Sequence, residues 1–247
     1  MKTFFSEYKV DYSTYTFGYT AYCILEPQDK MSEIYEKGFL PFTGKLDIKD
    51  DIFYMARSLR VDLNSFSDSS ENRRINRKIE ALKISFKVIP KEEFDLQNPV
   101  FRKLCLDYAD GRYSMGGMSE ERFEYVLSKS TASHIFEFKS EGKTIGYIIS
   151  YIDNEILQYW FSFFDVELMS YSLGKWMMWS AIDWAKTNNL KYVYLGTVYN
   201  PKSLYKVRDF KGVEFYDGSC WNTDIKILKH WCKTDEEERN IDRFKEG

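Results

Sequence analysis

Residues 170–217 constrain the fold of this chain more than any other part, because they read as a helix, a strand and a short helix in close succession. The letters Ser-Tyr-Ser-Leu-Gly-Lys-Trp at 170–176 open a helix that runs to about residue 188, and Lys-Tyr-Val-Tyr-Leu-Gly at 191–196 follows as a strand. A short helix over 202–207 comes next. A strand that feeds a helix through a Ser/Gly turn leaves backbone N–H groups unpaired at the helix start, which suits a phosphate or an oxyanion.

The predicted helix over 170–188 has one broad apolar face that packs on a sheet. The residues of this face recur at helical spacing and are Leu173, Trp176, Met177, Ser180, Ala181 and Trp184. We interpret its tryptophans as core residues rather than as a cofactor site. Ser170 or Ser172 is expected to cap the helix with its side chain.

The segment before this helix begins with two helices and continues with three hairpin-connected strands. A helix is predicted over 101–108, a turn at Asp110-Gly111, and a capped helix from Ser119 to about residue 129. Strands are predicted over 134–139, 144–151 and 156–164. The sequence therefore predicts a mixed α/β fold, of the α+β type with a mixed sheet.

Two prolines give the best candidate for a domain boundary. Pro90 and Pro99 bracket a polar segment, and proline disfavours helix at the residue before it. We predict a smaller N-terminal domain over 1–88 that ends in a charged helix over 71–87, a second domain over 89–232, and a solvated charged tail over 233–247.

Composition excludes several classes of protein. A formal charge of −3 argues against a uniformly basic nucleic-acid coat, although a local basic surface is compatible with it. The four cysteines form no C-x-x-C pair and only two histidines could join them, so neither a metal site nor a disulfide framework is expected. No segment resembles a signal peptide or a membrane span, so we expect a cytoplasmic protein without membrane contact.

Several short motifs occur in the order found in one enzyme family. They are Asp110-Gly111, the tyrosine- and phenylalanine-rich strand 159–164, Ser172-Leu173-Gly174, Tyr194-Leu195-Gly196, Tyr205-Lys206 and Phe210, preceded by a stretch at 66–78 with paired arginines. In this order they resemble the arginyl-tRNA–protein transferases, whose C-terminal half is a GNAT-like acyltransferase domain. The resemblance covers the chain from about Arg57 to Trp221 and implies a GNAT-like C-terminal domain here.

The chain also departs from these relatives. Members of the resembled family carry a cluster of N-terminal cysteines, whereas only Cys23 stands in the matching region. No cofactor is therefore predicted beyond charged tRNA as co-substrate. Of the GNAT pyrophosphate loop only Gly174 remains, so coenzyme A binding is less expected.

The resemblance implies transfer of an amino acid, arginine or alternatively leucine, from charged tRNA to the α-amine of acceptor proteins or peptides with a free N-terminus, which marks them for degradation. The expected catalytic residues are Tyr205 as proton donor, Lys206 and Ser172. Donor binding is expected at Ser172, Leu173, Gly174, Lys175, Tyr194, Gly196 and Asn200. Packing of Tyr205 in the core and solvation of Lys206 are the competing interpretations.

Basic residues with helical spacing predict the tRNA contact. Arg73, Arg74, Arg77 and Lys78 lie three and four residues apart, so they share neighbouring faces of a helix that could follow a phosphate backbone. An ordinary solvated helix is the competing interpretation. Two other functions stay open at this point: an acyltransferase that uses acetyl-coenzyme A or a similar thioester on a small amine or peptide, and a non-catalytic RNA- or protein-binding relative.

Overall fold

The computed structural model describes residues 1–13, 16–44, 50–112 and 118–235. In the N-terminal part the elements are β1 (Lys2–Asp11), β2 (Thr16–Ile24), α1 (Met31–Glu36), β3 (Phe39–Pro41), β4 (Ile52–Met55), β5 (Ser58–Asp62), α2 (Ser70–Ile79) and β6 (Ile84–Pro90). The elements that follow are α3 (Pro99–Arg112), α4 (Glu120–Ser128), β7 (His134–Ser140), β8 (Lys143–Ile152), β9 (Ile156–Phe164), α5 (Leu173–Thr187), β10 (Tyr192–Thr197), α6 (Tyr205–Asp209), β11 (Val213–Tyr216), β12 (Trp221–Asn222) and α7 (Ile225–Thr234).

An eight-stranded mixed sheet organises the described chain, with the strand order β12-β11-β5-β10-β9-β8-β7-β6. Its neighbouring strands are antiparallel except for β9 and β10, which are parallel because α5 connects them as a crossover. The predicted mixed α/β fold with a mixed sheet is confirmed. The strand–helix–strand unit predicted from residues 156–196 is β9, α5 and β10.

Helices cover both faces of this sheet, as the alternation along β7 shows. Phe136 and Phe138 belong to the core cluster that contains the buried face of α5, whereas Ile135 belongs to the cluster with α3 and α4. The predicted apolar face of α5 is confirmed, since Leu173, Met177 and Ala181 and their neighbours are buried in the first cluster.

A second, four-stranded sheet has the order β1-β2-β4-β3, and the loop after β3 contacts α4 through Thr43 and Arg122. Its core includes Ile156 of β9 and Tyr194 of β10. Strands β5 and β6 precede residue 89 but belong to the large sheet. The division into domains at 1–88 and 89–232 stays a prediction, and strands from both sides of it share one sheet.

The parallel pair β9 and β10 separates part-way along. Its ladder runs from Tyr192 opposite Ile156 to Tyr194 opposite Gln158 and ends there. Beyond this point β9 has a bulge, because Ile149 of β8 pairs with Phe161 and Ser150 pairs with Tyr159, which leaves Trp160 as the extra residue. Strand β10 also loses its regular register with β5 after Tyr194.

Three details differ from the sequence prediction. The prediction of a helix over 71–87 is wrong beyond Leu82. Helix α2 ends at Ile79, a 3₁₀ turn follows, and residues 84–90 form β6 with alternating exposure. The prediction of a loop turn at Asp110-Gly111 is wrong, because both residues are helical and lie near the end of α3. Helix α7 covers 225–234, where no helix was predicted, and buries Leu228 and Cys232.

Within the residues that the model describes, helices long and apolar enough to cross a bilayer are absent.

A matched pair of glycine substitutions tests this fold. Gly212 has a φ of +72°, and a Cβ there would lie 2.8 Å from the carbonyl oxygen of Asp62. Gly111 is helical, and a Cβ there meets no described atom within 4 Å. Gly212→Ala is expected to lower the free energy of unfolding by about 2 kcal/mol or more. Gly111→Ala is expected to raise it by a few tenths to about 1 kcal/mol.

Urea unfolding of the two variants and the wild type measures both effects. A destabilising Gly111→Ala of similar size would show that Gly111 occupies the turn that the sequence first suggested.

Candidate active site

A cavity of about 1080 Å³, here named the main cavity, opens where β9 and β10 separate. Its wall combines strands, helices and the N-terminal sheet: Leu40, Pro41, Phe42, Thr43, Gly44, Tyr54, Arg112, Arg122, Gln158, Tyr159, Trp160, Phe161, Ser162, Met178, Leu195, Gly196, Thr197, Tyr205 and Lys206. None of these residues is an aspartate or a glutamate. The described wall of the main cavity therefore carries cationic and neutral groups.

A smaller cavity of about 310 Å³, here named the helix-start cavity, adjoins the main cavity at the beginning of α5. Ser172, Leu173, Gly174 and Lys175 line it. Both cavities share Arg112, Tyr159, Ser162, Met178 and Tyr205. Because they share these residues, the two spaces form adjoining parts of one cleft.

The segment after β3 forms the wall of the main cavity that faces α4. Arg122 of α4 donates a hydrogen bond from Nη2 to Oγ1 of Thr43, at 2.9 Å. This bond connects the loop after β3 to α4, and both residues belong to the cavity wall, so both parts of the chain position it.

Helix α5 begins at a residue in an unusual backbone conformation. Ser172 is the N-cap residue with a φ of +64°, and its side chain makes no capping hydrogen bond. The expected side-chain cap from Ser172 is therefore wrong. The backbone carbonyl oxygen of Ser172 accepts hydrogen bonds from the N–H groups of Lys175 and Trp176, both at 3.1 Å. The first N–H groups of a helix have no intrahelical acceptor, so this end of the cleft favours anionic groups.

Gly174 is required by a close approach between α5 and β9. A Cβ at this position would lie 2.6 Å from a ring carbon of Phe164. The absence of a side chain thus lets the helix start reach the end of β9, which brings the two sides of the helix-start cavity together.

A buried carboxylate organises the cations beside the helix start. Asp209 is 1% exposed and accepts hydrogen bonds or ion pairs from Lys175 at 2.7 Å and from Arg208 at 2.6 Å. Glu71 of α2 pairs with Arg74 at 2.8 Å, and the hydrogen bond from Arg74 lowers the pKa of Glu71 to about 2. These carboxylates hold the cations in fixed positions next to α5.

Lys206 lies in the wall of the main cavity without a carboxylate partner among the described residues. Its Nζ donates to the carbonyl oxygens of Leu195 at 2.7 Å and of Thr197 at 3.3 Å. Burial lowers the pKa of Lys206 to about 8, because a cation is poorly solvated there. This amine can therefore bind and release a proton near neutral pH, which the alternative of an ordinary solvated lysine does not provide.

Tyr205 lines both cavities and lies under the ammonium group of Lys175, 5.9 Å from the ring centroid. Burial raises the pKa of Tyr205 to about 12, so its hydroxyl stays protonated at neutral pH. A protonated phenol at this place can donate a hydrogen bond or a proton to a ligand in the cleft.

The cleft brings together most of the predicted site residues. Ser172, Leu173, Gly174 and Lys175 line the helix-start cavity, Gly196 and Lys206 line the main cavity, and Tyr205 lines both. Two predicted donor-binding residues lie elsewhere. Tyr194 is buried beside Tyr35 and receives a hydrogen bond from Arg60 at 3.4 Å, and Asn200 caps the 3₁₀ turn over Pro201–Leu204. Their role in donor binding stays a prediction.

The predicted tRNA-binding residues lie on α2, which packs against α5 near the helix-start cavity. Arg73 donates to the carbonyl oxygen of Asp68, Arg74 pairs with Glu71, and Lys78 donates to the carbonyl oxygen of Ser170. Arg77 is exposed on the same helix. The structure thus places this basic helix beside the cleft, and its contact with tRNA stays a prediction.

Arg112 and Gln158 also line the cleft, although no sequence motif indicated them. Arg112 ends α3 in the wall shared by the two cavities. Gln158 is a buried polar residue in the mostly apolar strand β9, 1% exposed, in the wall of the main cavity. A glutamine between Leu157 and Tyr159 was a usable signal, because apolar strands seldom bury an amide without a specific partner.

The cysteines show no sign of a metal site. Cys23, Cys105 and Cys232 are buried, and Cys220 is exposed. Burial raises the pKa of Cys23 to about 12 and also raises that of Cys105. Groups of three or more metal-binding side chains are absent from the described part of the chain.

Comparisons with known proteins connect this chain to a family. The family model described as "Arginine-tRNA-protein transferase, C terminus" matches residues 101–216. The aspartate/glutamate leucyltransferase of Ruegeria pomeroyi is 30% identical over 191 residues, which cover 72% of this chain and 67% of that protein. The chain belongs to the arginyl-tRNA–protein transferase family.

A second member, the aspartate/glutamate leucyltransferase of Dinoroseobacter shibae, is 28% identical over 181 residues, covering 66% of this chain and 61% of that protein. The chain therefore spans about two thirds of the length of these two family members. Among solved structures, L-PGS from Bacillus licheniformis has a TM-score of 0.48 and 13% identity, with 82% of this chain and 69% of that chain covered. Membership of a transferase family confirms the prediction of an enzyme.

The pKa of Lys206 can be measured through its chemical reactivity. Only a deprotonated amine reacts with a trace of acetic anhydride, so the acetylation of Lys206 in the native protein is expected to reach half its maximum near pH 8, its pKa being about 8. Below that pH the amine is mostly charged and reacts less. Mass spectrometry of the peptide that contains Lys206, across a pH series, gives the curve.

The same peptide labelled in concentrated urea is the control, where an ordinary lysine pKa of about 10.4 is expected. Coinciding native and unfolded curves would mean that the cleft does not perturb this amine.

Proposed function

We propose that this chain transfers leucine from leucyl-tRNA to the N-terminal α-amine of proteins that begin with aspartate or glutamate. The observation that carries the proposal is the charge of the cleft. Cations line it at several points, and the described residues contribute no carboxylate to its wall. The family membership supports an aminoacyl-tRNA–protein transferase, and the charge pattern supports the choice of amino acid and acceptor.

The charge of the wall favours leucine over arginine as the transferred residue. A guanidinium group placed in the main cavity would be desolvated without a carboxylate partner among the described residues, which is costly. A leucyl side chain would instead contact apolar surface, since Leu40, Phe42 and Trp160 belong to the wall. The relatives named aspartate/glutamate leucyltransferases agree with this choice.

The same cations favour an acidic acceptor. Arg112 and Arg122 enter the main cavity wall from the ends of α3 and α4 that face the cleft. The side-chain carboxylate of an N-terminal aspartate or glutamate would be attracted to this wall, whereas an N-terminal lysine or arginine would be repelled.

The donor is proposed to enter through the helix-start cavity. Its wall offers the first turn of α5 and Lys175, and the basic residues of α2 lie beside it. Arg73, Arg77 and Lys78 would contact the phosphate backbone of tRNA, and Arg74 would contribute less because Glu71 already pairs with it. With Ser172, these groups would orient the 3′ end so that the ester reaches the residues shared by both cavities.

The proposed chemistry needs positioning more than a strong base. The α-amine of a protein has a pKa of about 7.7 to 8.0, so a useful fraction is neutral at physiological pH. Its lone pair attacks the ester carbonyl carbon, and the new C–N bond leaves a negative charge on the carbonyl oxygen. The bond to the ribose oxygen then breaks, and that oxygen takes up a proton.

Two residues have pKa values suited to these proton transfers. Neutral Lys206 keeps two N–H groups for the carbonyls of Leu195 and Thr197, which leaves its lone pair for the proton of the attacking nitrogen. Tyr205, whose pKa is about 12, is the proposed proton donor to the departing ribose oxygen. The proton held by Lys206 then passes through solvent to Tyr205, which restores both groups for the next cycle.

The proposal is tested by offering the protein leucyl-tRNA or arginyl-tRNA together with peptides that begin with Asp, Glu, Lys or Arg. The acidic peptides are expected to gain the mass of one leucyl residue, because the cleft favours an apolar donor and an anionic acceptor. The matched controls are the same peptides with a blocked N-terminus, and uncharged tRNA with free leucine.

Each other product identifies a different function. Transfer of arginine would contradict the choice of donor. Acyl transfer from acetyl-coenzyme A alone would support the thioester-dependent alternative, and firm tRNA binding without any product would support a non-catalytic relative.

Tyr205→Phe tests the proton donor. Removing the hydroxyl is expected to lower turnover by about 10²- to 10³-fold while the affinity for leucyl-tRNA changes little, because the ring still fills its place in the wall. Single-turnover kinetics and a separate binding assay measure the two quantities. An unchanged rate would assign proton donation to another group, such as the neighbouring hydroxyl of the ribose.

A further inference from the structure

Gln158 lies at the floor of the main cavity, at the last ladder pair before β9 and β10 separate. Its side chain is almost fully buried, and its Oε1 has no hydrogen-bond partner among the described residues. Its Nε2 makes only a long contact, 3.4 Å from the carbonyl oxygen of Tyr159. The amide carbonyl is therefore an acceptor that nothing in the described protein uses.

An unused buried acceptor is an uncommon feature. Nearly all buried polar groups in folded proteins have a partner, since an unmade hydrogen bond costs the full desolvation of the group. The residue is also part of the wall of the main cavity, so a rotation of its side chain would bring Oε1 to a ligand there. This combination indicates that a ligand supplies the missing N–H or O–H donor.

We propose that Oε1 of Gln158 accepts a hydrogen bond from the α-amino group of the transferred amino acid. The inference rests on the function proposed above and names the group that recognises the donor's free amine. Two amines meet in the reaction, and they need different neighbours. The attacking amine must lose a proton, which the amine of Lys206 can take, whereas the donor's own amine is unchanged and needs only an acceptor.

An amide suits that second amine for a chemical reason. The carbonyl of Gln158 accepts a hydrogen bond from an ammonium or an amine but does not take its proton at neutral pH. With the ester in the part of the cleft shared with the helix-start cavity, the α-carbon and its amine extend into the main cavity, where Gln158 and the apolar wall lie. The amide then fixes the orientation of the aminoacyl group and disfavours donors whose amine is blocked.

The test uses small probes and needs neither tRNA nor transfer. Leucinamide carries the amine, and 4-methylpentanamide is the same molecule without it. At a pH above the pKa of its amine, where leucinamide is neutral, the wild type is expected to bind it about tenfold more tightly than 4-methylpentanamide, as one hydrogen bond permits. Calorimetry measures both affinities.

Substitutions assign the preference to this side chain. Gln158→Leu is expected to abolish the preference and to raise the melting temperature of the free protein, because an unused buried acceptor is removed. Gln158→Glu restores an acceptor and is expected to restore the preference. Thr131→Val is the matched control: Oγ1 of Thr131 is also buried without a described partner, but the residue lies outside the cavity wall. This variant is expected to melt higher and to keep the preference.

Two outcomes overturn the inference. One is a wild type without amine preference, which includes the case in which neither probe binds. The other is a Gln158→Leu variant that folds and keeps the preference. Failure of leucyl transfer with an intact, Gln158-dependent preference would contradict the proposed reaction instead, so the two proposals fail in different experiments.

Discussion

The rest of the site depends on the end of the hydrogen-bonded ladder between β9 and β10. After Tyr194 and Gln158 the two parallel strands separate, and the bulge at Trp160 turns β9 away. Groups from both faces of the sheet can then reach one space: the N-terminal sheet and α4 from one side, and Met178 and Lys206 from the other. The carbonyls of Leu195 and Thr197 in this stretch also hold the amine of Lys206. One interruption of regular pairing thus creates both the cleft and its proton-binding group.

Charge placement supports the same arrangement. The carboxylates of this region lie behind the cations rather than in the cleft, as the buried Asp209 with Lys175 and Arg208 shows. Such pairs orient long side chains that would otherwise sample many rotamers. The described wall keeps a cationic character even though the whole chain has a formal charge of −3. Local placement therefore decides what the cleft attracts, and the net charge does not.

The sequence predicted those helices and strands whose bounds follow from their own residue pattern. It missed features that depend on contacts with residues distant in the chain. The apolar spacing of α5 followed from periodicity, and the bounds of β9 followed from the Asp153-Asn154 turn before it. Asp110-Gly111 favours a turn locally, but burial of Ala109 extends α3 through it. Helix α7 was not predicted, because its lysines obscured the apolar pattern to which the buried Leu228 belongs. Tyr205, Lys206 and Gly196 were found through motifs, whereas Gln158 becomes notable only when the strands separate and leave its carbonyl unused.

The distribution of the cysteines has a practical consequence. All four lie in the described part of the chain, and Cys220 alone among them is exposed, in the turn between β11 and β12. The other three sulfurs are enclosed by the core, and burial raises the pKa of two of them, Cys23 and Cys105, which suppresses the thiolate that reacts with maleimides. The natural protein thus offers one attachment point, in the turn between β11 and β12, where a fluorophore or spin label can be placed without first engineering a cysteine-free background.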